Sequence, residues 1–195
     1  MWKRSPVARG SDRSAGGIDR RTFLGGAAVL LLWPARGFAQ PAPALAPAAT
    51  ALPAATLQLL DTSKFAYVSP LRKDGAESTC HGEVWFAWLD GSVLVNSRRG
   101  TWKVQAVEKG LDRARIWVGD HGRWKSAIVG ERSEAFRAAP HFDARASFES
   151  DRAVNDRLIA LYEKKYAGDF DRWREDMQTG FYSGERKLLR YTPVT

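Results

Sequence analysis

Six residues in one short span of this 195-residue chain gather the means of holding an anion. In "VLVNSRRGTWKVQAVEKG" (93–110) a strand-like run ends at Ser97, and a helix is expected from Thr101 or Trp102 onward. Ser97 and Thr101 supply hydroxyls, while Arg98, Arg99 and Lys103 supply positive charge. Gly100 lets the backbone come close to a ligand. The first N–H groups of a helix have no intrahelical partners, and its dipole makes that end positive. A phosphate is the group best matched to this combination. By itself a basic turn is as readily a solvated surface or a nucleic-acid contact. Alternation along a strand also sends Arg98 and Arg99 to opposite sides, which leaves Arg99 as a solvated neighbour.

Other residue types give weaker chemistry. His81, His121 and His141 lack the paired spacing of a metal site. Cys80, His81 and Glu83 could in principle share a ligand, but adjacent Cys-His on a strand normally means one inward thiol and one outward imidazole. No metal is therefore expected. Cys80 is the only cysteine, so no intramolecular disulfide is available, and a small buried apolar side chain is the expected role. The nucleophile elbow, the P-loop and the G-x-G-x-x-G fingerprint are all missing. Trp85, Trp88, Trp102, Trp117 and Trp173 fall at apolar-periodic positions and read as core.

The elements that must position the 97–103 joint follow from periodicity. "LPAATLQLLDTS" (52–63) reads as a short helix and "KFAYVSPLR" as a strand. Asp74-Gly75 supplies a hairpin turn from which "ESTCHG" returns as a strand. "EVWFAWL" (83–89) reads as one strand, apolar on both faces, as in a barrel wall or a dimer interface. Asp90-Gly91 is a second hairpin turn, leading into "SVLVNS". "RARIWVG", "WKSAIVGE", "HFDARASFES" and "RKLLRYTP" complete the strands, with Phe142, Ala144, Ala146 and Phe148 expected to face inward. Two helices precede the last strand: one from Asp151 to Tyr166 capped by Ser150, and one through "DFDRWREDM" stopped by Gly180. About seven or eight strands with short interspersed helices and no βαβ rhythm give an α+β domain built around an antiparallel barrel.

The order and spacing of these pieces resemble the flavin-binding split β-barrel family that includes the pyridoxamine 5′-phosphate oxidase-like proteins. The residues that carry the resemblance are Asp74-Gly75, Val84-Trp85-Phe86, Asp90-Gly91, Asn96-Ser97 and Gly100-Thr101-Trp102-Lys103. It covers 64–119 well and 120–195 in general layout. The resemblance implies an antiparallel split β-barrel with short peripheral helices, and a flavin-type cofactor whose terminal phosphate is held by Ser97, Arg98, Gly100, Thr101 and Lys103. Val84 and Trp85 would line the ring, with Tyr67 nearby. FMN is favoured over the deazaflavin F420, the chemistry is hydride or electron transfer at the ring, and no side chain is nominated as acid or base. Homodimers are usual in such families. A carrier that only binds a flavin or haem is the alternative, and in the haem case His81 or His141 would be the axial ligand. Cys80-His81-Gly82-Glu83 stands where the family often has Thr-Pro before its Trp.

Charge and leader complete the picture. Of the net +8, residues 1–39 supply +5, from seven Lys or Arg against Asp12 and Asp19, leaving +3 for the remainder. A charge this small, on an exported chain, fits nucleic-acid binding poorly. A basic segment, the apolar run "FLGGAAVLLLW" and the small-residue end "ARGFAQ" describe a secretory signal. Arg20-Arg21 with Thr22, Phe23 and Leu24 resembles the twin-arginine export motif, although Asp19 and Gly25 stand where it usually has Ser or Thr and Lys. Residues 1–39 are expected to be that signal, cleaved after Ala39 on reaching the periplasm through the twin-arginine machinery. Residues 40–53 are a Pro/Ala-rich linker, and 54–195 the cofactor-binding domain.

Overall fold

Asp90 and Gly91 close a two-residue hairpin, and both take a positive φ, 51° and 70°, as such turns demand. They join β3 (Ala87–Leu89) to β4 (Ser92–Arg98) in antiparallel register, Leu89 opposite Ser92. The computed structural model describes residues 52–122 and 133–194. The leader, nearly all of the linker and the strand expected over 124–131 lie outside the described residues. The remaining elements are α1 (Ala54–Thr62), β1 (Ala66–Pro70), β2 (Gly82–Val84), α2 (Trp102–Glu108), β5 (Arg113–Val118), β6 (His141–Glu149), α3 (Arg152–Lys165), α4 (Asp171–Ser183) and β7 (Arg186–Pro193). The seven strands form one antiparallel sheet in the order β2-β1-β5-β6-β7-β4-β3. The fold is α+β, a split β-barrel with short peripheral helices.

The expected single strand over 83–89 is instead two. β2 and β3 are the opposite edges of the sheet, and only Trp85 and Phe86 separate them in sequence. Laid flat, seven strands would hold their edges roughly 29 Å apart. The chain from Val84 to Ala87 can span at most about 11 Å. The sheet therefore curls until its two edges stand side by side, unpaired. Apolar residues on both faces of 83–89 mark this crossing, which is buried on both sides without being a continuous strand.

At the crossing the backbone has no strand partner, and two tyrosines of the α3 region satisfy it. The Tyr166 hydroxyl accepts from the Phe86 N–H at 2.8 Å. Its single proton is shared between the carbonyls of Phe86 and Lys64, each 2.9 Å away. Tyr162 donates to the Trp85 carbonyl at 2.8 Å, and the Trp85 ring stacks on Tyr166 at 4.6 Å. Lys165 adds a third tie: its ammonium donates to the Leu60 carbonyl at 3.0 Å and lies 3.6 Å from the centre of the Phe86 ring.

Inside the curl, Val68, Phe86, Val93, Val95, Ile116, Val118, Ala144, Leu189 and Tyr191 fill the bore. On the outer face α3 and α4 bury Leu158, Ile159, Phe170 and Met177 against Leu94 and Leu188. Several local expectations are corrected. Cys80 is exposed, because 78–81 form an irregular segment joined to the sheet only near the Leu71–Glu77 bridge; "ESTCHG" is thus no full strand. The Ser78 N–H still donates to the Pro70 carbonyl of β1 at 2.9 Å, but beyond it Ser78 and Cys80 hydrogen-bond to each other. Asp151, not Ser150, caps α3 by accepting from the Ala153 N–H. Phe148 is 40% exposed and Trp173 37%, so neither belongs to the core.

Two outcomes follow. Tyr166→Phe keeps the stack on Trp85 but strands the Phe86 N–H and carbonyl, so urea unfolding should show a loss of about 1–3 kcal/mol. An unchanged midpoint would show that the hydroxyl is not what seals the crossing. Burial pushes Lys165 from 10.5 down to about 8. Between pH 8 and 10 the unfolded chain then binds more protons than the folded one, so stability should rise with pH. Above that range the trend reverses, because burial raises Tyr162, Tyr166 and Tyr191 and their ionisation favours unfolding. Denaturation at stepped pH should show the rise in the native protein and a shallower one in Lys165→Met, the remainder coming from Lys103, which burial also depresses.

Candidate anion-binding site

Where β4 leaves the sheet, its last residues face the first turn of α2. The Ser97 and Thr101 hydroxyls are 2.9 Å apart. Thr101 gives its proton to the Arg98 carbonyl at 2.8 Å, so Ser97 is the donor between the two. Thr101 is the N-cap of α2, although its side chain caps no helical N–H. With seven residues α2 is too short to offer much dipole, and the cradle is made by side chains.

The charges come from three elements. Arg98 and Arg186 stand opposite each other across the β4–β7 ladder, a like-charge pairing that is unfavourable unless a counter-charge intervenes. Asp176 of α4 intervenes. It accepts both oxygens' worth of hydrogen bonds from Arg98, at 3.0 and 3.1 Å, and one from Arg186 at 2.5 Å. Arg186 also donates to the Asn96 side chain at 3.2 Å, and Asn96 donates to the Met177 carbonyl at 3.2 Å. Arg186 is 6% exposed, yet its Nε–H has no partner among the described residues. A buried guanidinium N–H left unpaired is costly.

These groups line a cavity of about 410 Å³, within the range of small-molecule sites. Its polar lining includes Ser97, Arg98, Thr101, Lys103 and Arg186, with Glu83, Asn96 and Arg172, and its apolar lining includes Phe65, Val84, Trp85, Trp173 and Met177. Lys103 makes no ion pair among the described residues. Burial holds its ammonium below the ordinary lysine range, the Glu83 carboxylate works against that, and Arg186 adds to it. Three cations thus share two carboxylates, Asp176 and Glu83, and the corner is left net positive.

Of the residues singled out in the sequence, Ser97, Arg98, Thr101, Lys103, Val84 and Trp85 come together in this cavity. Gly100 does not line it, and a Cβ there would meet nothing within 4 Å. Tyr67 lies elsewhere: its ring stacks on Phe136 at 4.9 Å, and its hydroxyl donates to Gly122 and accepts from His121. Successive residues on a strand face opposite sides, and Tyr67 faces the outer cluster of Trp117 and Phe136, away from Ala66 and Val68 in the bore. Arg99 is exposed, 3.6 Å from Glu108.

The histidines do not line the cavity either. His81 is buried with Nδ1 against Ser69 at 2.8 Å and Nε2 against Arg137 at 3.2 Å. Among the described residues no cluster of His, Cys, Asp or Glu could hold a metal.

Arg186 and Asp176 were not legible as site residues, because strand register and α4 packing bring them there; Asn96 was named beside Ser97 but given no role. One signal was present. Gly180, expected to stop α4, lies inside it; the helix ends at Gly184, whose φ is +82°. A Cβ at Gly180 would come within 2.9 Å of Arg186 Cδ. The glycine is where the arginine side chain passes over the helix.

No protein-family model matches this chain, and no curated protein does. Solved structures do match. A conserved hypothetical protein from Mycobacterium tuberculosis superposes with a TM-score of 0.50 at 13% identity, over 76% of this chain and 84% of its own. The haem-storage protein HutZ from Vibrio cholerae gives 0.47 at 14% identity, over 72% and 89%. A FAD-binding protein from Mesorhizobium loti gives 0.47 at 16% identity, over 74% and 91%. The first of these establishes a shared fold, and at such identities nothing about ligands passes between the chains.

The Gly180 geometry generates a test. Glycine to alanine within a helix ordinarily gains about 1 kcal/mol. Here Gly180→Ala should instead lose roughly 1–3 kcal/mol in urea unfolding, because it displaces a buried arginine. A stabilised variant would refute the packing described.

Proposed function

We propose that the chain binds FMN in this cavity and acts as a flavin-dependent oxidoreductase. The observation that carries the reading is the net positive corner of the cavity, where Lys103, held by no ion pair among the described residues, joins Arg98 and Arg186. Such a corner fits a phosphate, whose oxygens can take the Lys103 ammonium and the Ser97 hydroxyl once it turns from Thr101. The sequence resemblance to flavin-binding split barrels supplies the rest of the cofactor.

The residues divide the work as follows. Ser97, Arg98, Thr101, Lys103 and Arg186 hold the phosphate. Asp176 keeps the two guanidiniums parallel in purpose by neutralising one of them. Val84 and Trp85 form the apolar wall beside a ring, and Tyr166 stiffens Trp85 by stacking on its other side. When bound, the flavin supplies hydride or electron transfer, and the protein orients it and keeps water away. None of the described histidines lines this cavity, which favours a flavin over haem as its occupant; a carrier that binds its cofactor without turnover is the second reading. With the leader read as a twin-arginine signal, the protein works in the periplasm; with the family's habit, it works as a homodimer.

Titration of the purified protein with FMN tests the reading. FMN should bind at least tenfold more tightly than riboflavin, which lacks the phosphate, and Lys103→Met should remove most of that difference. Binding an anion restores the Lys103 proton that burial disfavours. FMN affinity should therefore fall as pH rises through the depressed Lys103 value, and Lys103→Met should flatten the dependence. Equal affinity for riboflavin and FMN, or no binding of either FMN or F420, defeats the proposal.

A further inference from the structure

We propose that Arg172 and Trp173, in the first turn of α4, form a second subsite of the same cavity, which takes a planar, negatively charged ligand such as an aromatic carboxylate. Calling that ligand the substrate rests on the flavin reading above; its binding does not. Both residues line the cavity, but neither belongs to the Ser97–Lys103–Arg186 corner.

Four large apolar side chains are exposed among the described residues, and Trp173 alone of these lines this cavity. A side chain of this size left 37% exposed keeps apolar surface whose removal from water is favourable in free energy. At the wall of a cavity, that energy is available to a ligand.

Arg172 gives the subsite its charge preference. Its guanidinium lies 5.6 Å from the centre of the Trp173 ring. It makes no ion pair among the described residues, whereas Arg174, two residues on, is held by Glu163 at 2.8 Å. Arg98 and Arg186 share Asp176 as a counter-charge; Arg172 pairs with no carboxylate among the described residues. A planar guanidinium beside an indole presents a forked donor pair next to a flat apolar surface. A carboxylate attached to a flat ring satisfies both at once, by paired hydrogen bonds and by stacking. A neutral ring satisfies only the second. A compact anion such as acetate satisfies only the first.

The test uses the full chain, with and without FMN, and calorimetric titration of 2-naphthoate against 2-naphthalenemethanol, its neutral counterpart of similar shape. The native protein should prefer the carboxylate at least tenfold, and 2-naphthoate should bind the FMN-loaded form without releasing the flavin absorbance. Arg172→Met should abolish the charge preference, and Arg172→Lys should restore part of it. Trp173→Ala should weaken both probes, with the unfolding midpoint reported to exclude global damage. The proposal is overturned by equal affinity for the two probes, by a preference that survives Arg172→Met, or by displacement of FMN. If FMN fails to bind while the Arg172-dependent preference persists, the flavin reading falls and the subsite stands. If FMN binds as expected and the preference is absent, the reverse holds.

Discussion

The crossing made by Trp85 and Phe86 is the constraint from which the rest of the structure follows. Two residues must carry the chain between the opposite edges of a seven-stranded sheet. A flat sheet cannot satisfy that distance, so the sheet curls. Curling buries the alternate residues of every strand in a bore too narrow for a ligand, filled by Val68, Ile116, Leu189 and their neighbours. It also leaves one line along which two strand edges meet without pairing. The space for a ligand opens beside that line, lined by Glu83, Val84 and Trp85 from the crossing and by Val95 to Arg98 from β4. Fold closure and cavity are two results of one short connection.

Along this line a group of cations has been assembled at a real energetic cost. Arg98 and Arg186 are cross-strand neighbours, and Arg186 is almost wholly buried. Asp176 offsets part of that cost, but a buried ion pair seldom repays its desolvation, still less with one N–H unsatisfied. Gly180 adds to the expense by giving up a helix-favouring side chain so that Arg186 can pass. Residues that cost stability and meet in a cavity are better understood through what the cavity accepts than through what holds the barrel together. Lys103 belongs to the same account, since burial disfavours the charge that it brings to the corner.

The parts legible in the sequence were those written locally. Asp90-Gly91 specified its turn through two left-handed backbones, and β4, β5, β6 and β7 declared themselves by alternation. Ser97, Thr101 and Lys103 could be grouped because they fall within seven consecutive residues at one strand-to-helix joint. What escaped was set by register and packing. Arg186 enters the site because β7 pairs with β4 in one alignment, and Asp176 because α4 packs over that pair; neither relation has a local signature. The stretch 83–89 misled because burial on both faces is common to a central strand and to a buried crossing. Tyr67 was placed near the ring by the resemblance alone, which does not say which side of the sheet a strand residue faces. Gly180 and Gly184 show how two glycines close in sequence can serve different ends, one for room and one for a left-handed helix terminus.

The sealing of the crossing by phenols has a mechanical consequence. Elsewhere, parting two strands means breaking a row of ladder bonds together. Along the β2–β3 boundary it means releasing the hydroxyls of Tyr162 and Tyr166 and sliding Trp85 off one ring. The barrel is a cylinder with a zip, and its fastener sits on α3, beside the cavity wall. Whatever loosens or stiffens α3 therefore acts on this boundary without breaking any ladder between paired strands.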